Sequence, residues 1–199
     1  MFRIPRNKKS EKQFIDVLNW PDSFPERPEV AFSAWHDGAN LHIEYEVCEE
    51  GTKAEETTPG NEVYMDSCVE CFIQPDPADP HYYNFEWNAI GNLAMACRTG
   101  RNDPEKAPLD IIGSVEAIPS LPRKAFSEQH VGKWTLNVCI PAKALFNSGV
   151  ESFDGRIMKM NLFKCGDGLK RPHYLTWQKI NTPGPDDHRP EFFVEVEFE

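Results

Sequence analysis

Along much of this chain apolar and polar side chains trade places at every second residue, the period at which a β-strand presents its two faces. In Leu41–Val47 the odd positions Leu41, Ile43, Tyr45 and Val47 are apolar and the even ones polar. Lys133–Ile140 repeats the pattern, with Trp134, Leu136, Val138 and Ile140 on one face. Tyr83, Phe85 and Trp87 alternate with Asn84, Glu86 and Asn88, and Phe192, Val194, Val196 and Phe198 alternate with Phe193, Glu195 and Glu197. Alternation of this kind predicts strands with one buried face and one face that is solvated or turned to a site. Weaker strands are predicted at 30–35, 69–73, 93–98, 111–117, 156–164 and 174–178. Helical spacing is confined to Glu11–Leu18 and Pro141–Phe146, the second opened by a proline suited to a first helical turn.

About ten short strands with proline- and glycine-rich connections predict an all-β fold. Its form is a two-sheet antiparallel β-sandwich, jelly-roll-like, with one or two short helices. No internal repeat or break in composition divides the 199 residues, so one domain is expected over 1–199, with 1–25 as an N-terminal extension. Residues 49–62 hold five glutamates and three threonines with almost nothing apolar, which predicts an exposed, mobile loop. Residues 102–108 and 181–189 read as similar loops.

Charge narrows the function classes. The chain carries 21 Lys and Arg against 32 Asp and Glu, a net −11, whereas binding a phosphate backbone or an anionic membrane needs clustered positive charge. Nucleic acid and membrane are therefore not expected as partners. No apolar run approaches the about 18 residues of a membrane span. Residues 1–12 are basic but no apolar secretion segment follows, so the chain is expected to be cytoplasmic unless already processed. The six cysteines are scattered through hydrophobic stretches and read as small buried residues. Cys68 and Cys71 have C-x-x-C spacing, but no second pair follows, and in a strand they point to opposite faces. Metal content is left unknown on these grounds.

The segment Tyr64-Met65-Asp66-Ser67-Cys68-Val69-Glu70-Cys71-Phe72-Ile73, followed by Tyr83-Asn84-Phe85-Glu86-Trp87-Asn88, resembles the family 9 carbohydrate-binding modules. The resemblance continues through Trp134–Pro141, Gly155–Asn161, Tyr174-Leu175-Thr176-Trp177 and the closing His188-Arg189-Pro190-Glu191-Phe192-Phe193, from about Val30 to Phe198. It implies a non-catalytic domain that binds a sugar or oligosaccharide end in a pocket, commonly beside a separate glycoside hydrolase. A pyranose has an apolar C–H face and a hydroxyl rim, so such a site needs an aromatic platform and carboxylate, amide or arginine partners. Tyr64 matches a platform aromatic of the family and Glu70 its acidic hydrogen-bonding residue.

Departures from the pattern accompany these matches. The second platform aromatic aligns near Asp187 and His188, where the only ring is an imidazole. Glu86 stands where some members have arginine, and Phe163 where some have an amide. Asn88 shares a strand face with Glu86; Arg98 ends its strand as either a fork for vicinal hydroxyls or a surface ion pair; Lys164 and His173 flank Gly166-Asp167-Gly168. Trp177 matches a family tryptophan that reads as part of the core. The ligand-binding set read from the sequence is thus Tyr64, Glu70, Glu86, Asn88, Arg98, Lys164 and Trp177, with no catalytic residue. Calcium is a structural cofactor of some members, but no EF-hand-like spacing places it here.

Two alternatives stand beside this reading. Glu70 and Glu86 as acid and base of a glycosidase need carboxyl groups facing one cleft at roughly 5–10 Å, and no G-x-S-x-G, H-E-x-x-H or P-loop is present. Related DOMON-like sandwiches hold haem through a Met and a His, for which Met65 and His173 or His188 are the candidates.

Overall fold

The computed structural model describes residues 1–199. Fifteen strands follow one another: β1 Phe2–Ile4, β2 Gln13–Phe14, β3 Glu29–His36, β4 Asn40–Glu49, β5 Thr52–Ala54, β6 Cys68–Gln74, β7 Tyr82–Asn88, β8 Leu93–Arg98, β9 Glu105–Lys106, β10 Glu116–Pro119, β11 Phe126–Gln129, β12 Gly132–Pro141, β13 Ile157–Cys165, β14 Tyr174–Thr176 and β15 Val194–Phe198. One sheet runs β1-β15-β13-β6-β7-β8-β9, with β14 on the β15 side of β13; the second runs β10-β12-β4-β3-β2; β5 and β11 form a small third ribbon. All pairings are antiparallel except β1 with β15. The architecture is the two-sheet sandwich that the alternation predicts.

The core lies where the alternating apolar faces meet. β4 and β12 pair Val47 with Trp134, Tyr45 with Leu136, Ile43 with Val138 and Leu41 with Ile140, all buried. Each such side chain gives about 1.5–3 kcal/mol on full burial. Across the sandwich they meet Val69, Cys71 and Ile73 of β6, Tyr83, Phe85 and Trp87 of β7, and Leu162 of β13 in one cluster. The outer face of the β4 sheet stays wet, and Lys9–Glu44 and Lys12–Glu46 decorate it as surface ion pairs of small net value.

The larger sheet departs from simple alternation, because every residue of β6 and of β7 is buried. Its outer face is roofed by loops, so Cys68, Glu70, Phe72, Asn84, Glu86 and Asn88 lie under protein rather than in water. Near one end of that face Phe72, Tyr82, Phe163, Ile180, Phe193 and Trp20 form a second apolar cluster; elsewhere Val63, Cys68, Ala94 and Cys165 form a third.

Several expectations are corrected. Glu11–Leu18 is not a helix: Gln13–Phe14 pairs with β3, Ile15 N–H donates to Val30 O, and Val17 bridges to Thr176, so sheet edges take the backbone groups a helix would have used. Residues 1–25 are not an appendage, since β1 adds to β15 and Ile4 and Ile15 are fully buried. The loop predicted at 49–62 begins as structure, with Thr52 and Ala54 of β5 buried against β11, a strand the sequence did not reveal. Pro141–Phe146 yields one 3₁₀ turn, Ala142–Ala144, and the one α-helix is Leu109–Ile112, opened by Pro108 and closed by Gly113. The strand expected at 111–117 accordingly starts at Glu116.

Candidate ligand-binding site

A cavity of about 570 Å³ opens on the roofed face of the larger sheet. Its floor follows from strand register. Glu70 of β6 pairs with Glu86 of β7, which pairs with Ala94 of β8; in the next row Phe72, Asn84 and Ala96 align. Cross-strand neighbours on one face stand about 5 Å apart at Cβ. The alanines of β8 are short, and the hollow over them is the cavity. Glu70, Asn84, Glu86 and Arg98 all line it.

Hydrogen bonds order this floor. Asn84 Nδ2 donates to Glu86 Oε1 at 2.7 Å, while Arg98 Nε donates to Asn84 Oδ1 at 2.8 Å and its Nη1 to Arg101 O at 2.7 Å. Glu70 is 4% exposed, and its side-chain partners are the thiols of Cys165, 3.0 Å, and Cys68, 3.8 Å. Burial, reinforced by Cys165 and Glu86, holds the Glu70 carboxyl well above the ordinary carboxylate range. Burial likewise pushes Glu86 up to about 7 against the pull of Asn84 and Arg98.

The walls come from three loops. Asp66 is almost fully buried and its Oδ2 accepts from the Glu55 and Glu56 N–H groups and from Asn88 Nδ2, which also reaches Glu56 O. That knot holds the 3₁₀ turn Val63–Met65, from which Tyr64 reaches the cavity. Tyr174 and Phe24 meet edge to face, 4.7 Å between centroids, on another side. The last loop contributes Asp187 and His188. Tyr82 Oη lies 3.1 Å from His188 Nδ1, and burial with Arg98 and Arg101 pushes the imidazole down to about 3, so it is neutral. Asp187 has an unpartnered buried Oδ1, and burial with Asp167 and Asp186 pushes it up to about 8.

Of the seven residues read from the sequence, Tyr64, Glu70, Glu86 and Arg98 come together at the cavity. The other three do not line it. Asn88 shares the Glu86 face, but its amide is spent on Asp66 and Glu56 one row further along, so it positions the Tyr64 turn. Lys164 turns to the opposite face, where its Nζ meets Glu49 Oε2 at 2.9 Å and His173 Nε2 at 2.8 Å. Trp177 packs on Phe2 and Phe32 in the core, 5.4 and 5.5 Å between centroids. The sequence reading missed Phe24, Asn84, Asp167, Tyr174 and Asp187 as cavity residues. Asn84 had a signal, since it shares the alternating face of Glu86; Tyr174 opens the short strand β14, and the other three sit on loops whose fold the alternation does not encode.

The haem alternative loses its ligands to hydrogen bonds. Both nitrogens of His173 face partners, Lys164 Nζ and Arg171 O, and Met65 does not line the cavity that His188 borders. The single cluster of three metal-ligating side chains is Cys68, Glu70 and Cys165, whose two sulfurs are the wrong donors for calcium, a cation of six to eight oxygens.

Solved structures share this architecture. A protein from Bacteroides uniformis ATCC 8492, proposed to bind carbohydrate, is 38% identical with a TM-score of 0.90, covering 95% of this chain and 86% of its own. A family 9 carbohydrate-binding module from Caldicellulosiruptor kristjanssonii in complex with cellotriose matches at TM-score 0.65 and 11% identity, over 100% of this chain and 93% of its own. A family 9 module from the same organism in complex with glucose matches at 0.64 and 13%, over 99% and 95%. None of the curated proteins matches. The model of carbohydrate-binding family 9 matches residues 3–198, nearly end to end, and the chain belongs to that family.

Proposed function

We propose that the cavity binds a sugar or the end of an oligosaccharide, and that the protein acts as a non-catalytic carbohydrate-binding domain. The observation that carries this reading is the composition of the cavity. Its floor places the acceptors Glu70, Glu86 and Asn84 side by side with Arg98, and tyrosines 64 and 174 stand at its walls. Carboxylates and a guanidinium take the hydroxyl rim in pairs, and a ring takes the C–H face. Family membership and the sugars held by the two Caldicellulosiruptor modules support it. Tyr64 and Tyr174 pack against the same small cluster of Val63, Cys68, Ala94 and Cys165. Tyr174 thereby supplies the second ring that the last loop lacks.

The glycosidase alternative is disfavoured by register. Its two carboxyl groups must flank the scissile bond, whereas Glu70 and Glu86 are direct cross-strand neighbours and approach a ligand from the same side. Calorimetric and intrinsic-fluorescence titration with glucose and with cellotriose tests the binding reading. Saturable binding is expected, weakened about tenfold or more in Tyr64→Ala through loss of the ring contact. Folded protein that binds neither sugar at millimolar concentration refutes it.

A further inference from the structure

On the cavity floor, β6 and β13 set Cys68 directly opposite Cys165. Both side chains point to the roofed face, and Glu70 follows Cys68 by two residues on that same face. One ligating atom from each of Cys68, Glu70 and Cys165 lies within 4.8 Å of the other two. All six cysteines are free thiols. We propose that these three side chains form a binding site for a thiophilic divalent cation of the zinc type, with its fourth position opening into the cavity.

Three observations bear on the choice of ion. The donors are two sulfurs and one carboxylate, a set that selects zinc-like cations over calcium or magnesium. The spacing is right. A tetrahedral zinc with bonds of about 2.3 Å to sulfur and about 2.1 Å to oxygen sets ligand edges of roughly 3.8 Å between sulfurs and roughly 3.6 Å from sulfur to oxygen. The Glu70 Oε1 edges are 3.0 Å to Cys165 and 3.8 Å to Cys68, each within about 0.6 Å of the tetrahedral value, and the two sulfurs lie within 4.8 Å of each other, a span that side-chain rotation can close. Finally, Glu70 is buried with no cationic partner. Arg98 is committed to Asn84 and Arg101, and Lys164 to Glu49 on the other face. A carboxylate met by two thiols, which are weak donors, is the arrangement a cation completes.

The access route also fits. Glu70 and Cys165 line the cavity while Cys68 lies beneath, so an ion entering from the cavity meets three protein ligands and keeps one position for water or ligand. On coordination the two sulfurs release their protons to solvent and bind as thiolates, with no oxidation. The C-x-x-C spacing contributes nothing to this site, because Cys71 points into the core. The partner of Cys68 is 97 positions away in the chain and is visible only through strand pairing.

The test is an anaerobic titration of the reduced, metal-free full chain with Co²⁺, followed by Zn²⁺. One equivalent of Co²⁺ is expected to raise thiolate charge-transfer absorption and intense tetrahedral bands, both erased by one equivalent of Zn²⁺. Cys165→Ser is expected to remove the charge-transfer intensity of one sulfur and to weaken binding more than about 100-fold, beyond the effect of losing an outer-shell partner. Cys48→Ser, which alters the exposed thiol, is expected to change nothing. X-ray absorption of the zinc-loaded native chain, which requires no variant to fold, is expected to show two sulfur scatterers at about 2.3 Å. Absence of thiolate–cobalt bands, bands unchanged in Cys165→Ser, or a zinc shell of nitrogen and oxygen alone overturns the proposal. A Cys68–Cys165 disulfide that forms readily, in a protein whose reduced form ignores Co²⁺, overturns it too. These readouts contain no sugar, so a failure to bind glucose leaves them standing.

Discussion

Replacing Glu86 by glutamine removes a titration whose size the fold sets. The Glu86 carboxyl ionises near 4.5 in an unfolded chain and near 7 in the folded one, because burial disfavours its charged form. Below the unfolded value both states are protonated and the site is neutral to stability. Between the two values the unfolded chain loses its proton while the folded one keeps it, so stability falls as pH rises, and above the folded value both are ionised and the loss is complete. At about 1.36 kcal/mol for each pH unit between about 4.5 and about 7, the loss is on the order of 3 kcal/mol, most of it falling between about pH 5 and about pH 8.5. Glutamine keeps the carbonyl that accepts from Asn84 Nδ2 and has no proton to lose. Urea denaturation of both proteins at the two pH values is therefore expected to show the Gln variant gaining on the native chain by roughly 2–3 kcal/mol as pH rises. Groups far from Glu86 cancel in that difference, whereas Glu70 and Asp187, each held higher by the Glu86 charge, are relieved in the variant and move the difference in the same direction. A stability difference that is the same at both pH values, within about 0.5 kcal/mol, refutes the assignment of Glu86 as a strained buried carboxylate.

Two further expectations concern parts of the fold away from the cavity floor. Lys164→Ala leaves the Glu49 carboxylate buried without its ammonium and is expected to cost about 3–5 kcal/mol by denaturant melt, while the double change Lys164→Met with Glu49→Gln recovers most of it; equal losses in the single and double variants would show that packing, not charge, is what Lys164 supplies. Ile4→Ala is expected to destabilise the whole domain by about 2–5 kcal/mol in a single transition, as a core residue does, and a change below about 0.5 kcal/mol would return residues 1–25 to the status of an appendage.

The strands of the core were legible because their signal is local. Leu41–Val47, Lys133–Ile140 and Tyr83–Asn88 each carry a period-two pattern that needs no knowledge of the partner strand, and all three lie in strands with the predicted apolar face inward. Short edge and ribbon strands such as β2, β5 and β11 carry too few residues for a period, and their existence depends on a neighbour that accepts their backbone groups. Glu11–Leu18 shows the cost of reading spacing alone, since three or four apolar residues fit a helix and an edge strand equally well.

At the site, the sequence determined which residues share the outer face of the larger sheet, because side chains alternate strictly along β6, β7 and β8. It also carried the family motifs that picked out Tyr64 and Glu70. What it could not determine is whether that face meets water or a roof. The loops bearing Asp66 and His188 and the short strand opened by Tyr174 decide this, and they are held by contacts between residues far apart in the chain, such as Asn88 with Asp66 and Tyr82 with His188. Burial beneath those loops turns Glu70 and Glu86 from surface acids into carboxyls held above their usual range. The packing of the two sheets, likewise, brings Lys164 to Glu49, and strand pairing brings Cys165 to Cys68. A strand's own residues fix its faces; only its neighbours fix what those faces see.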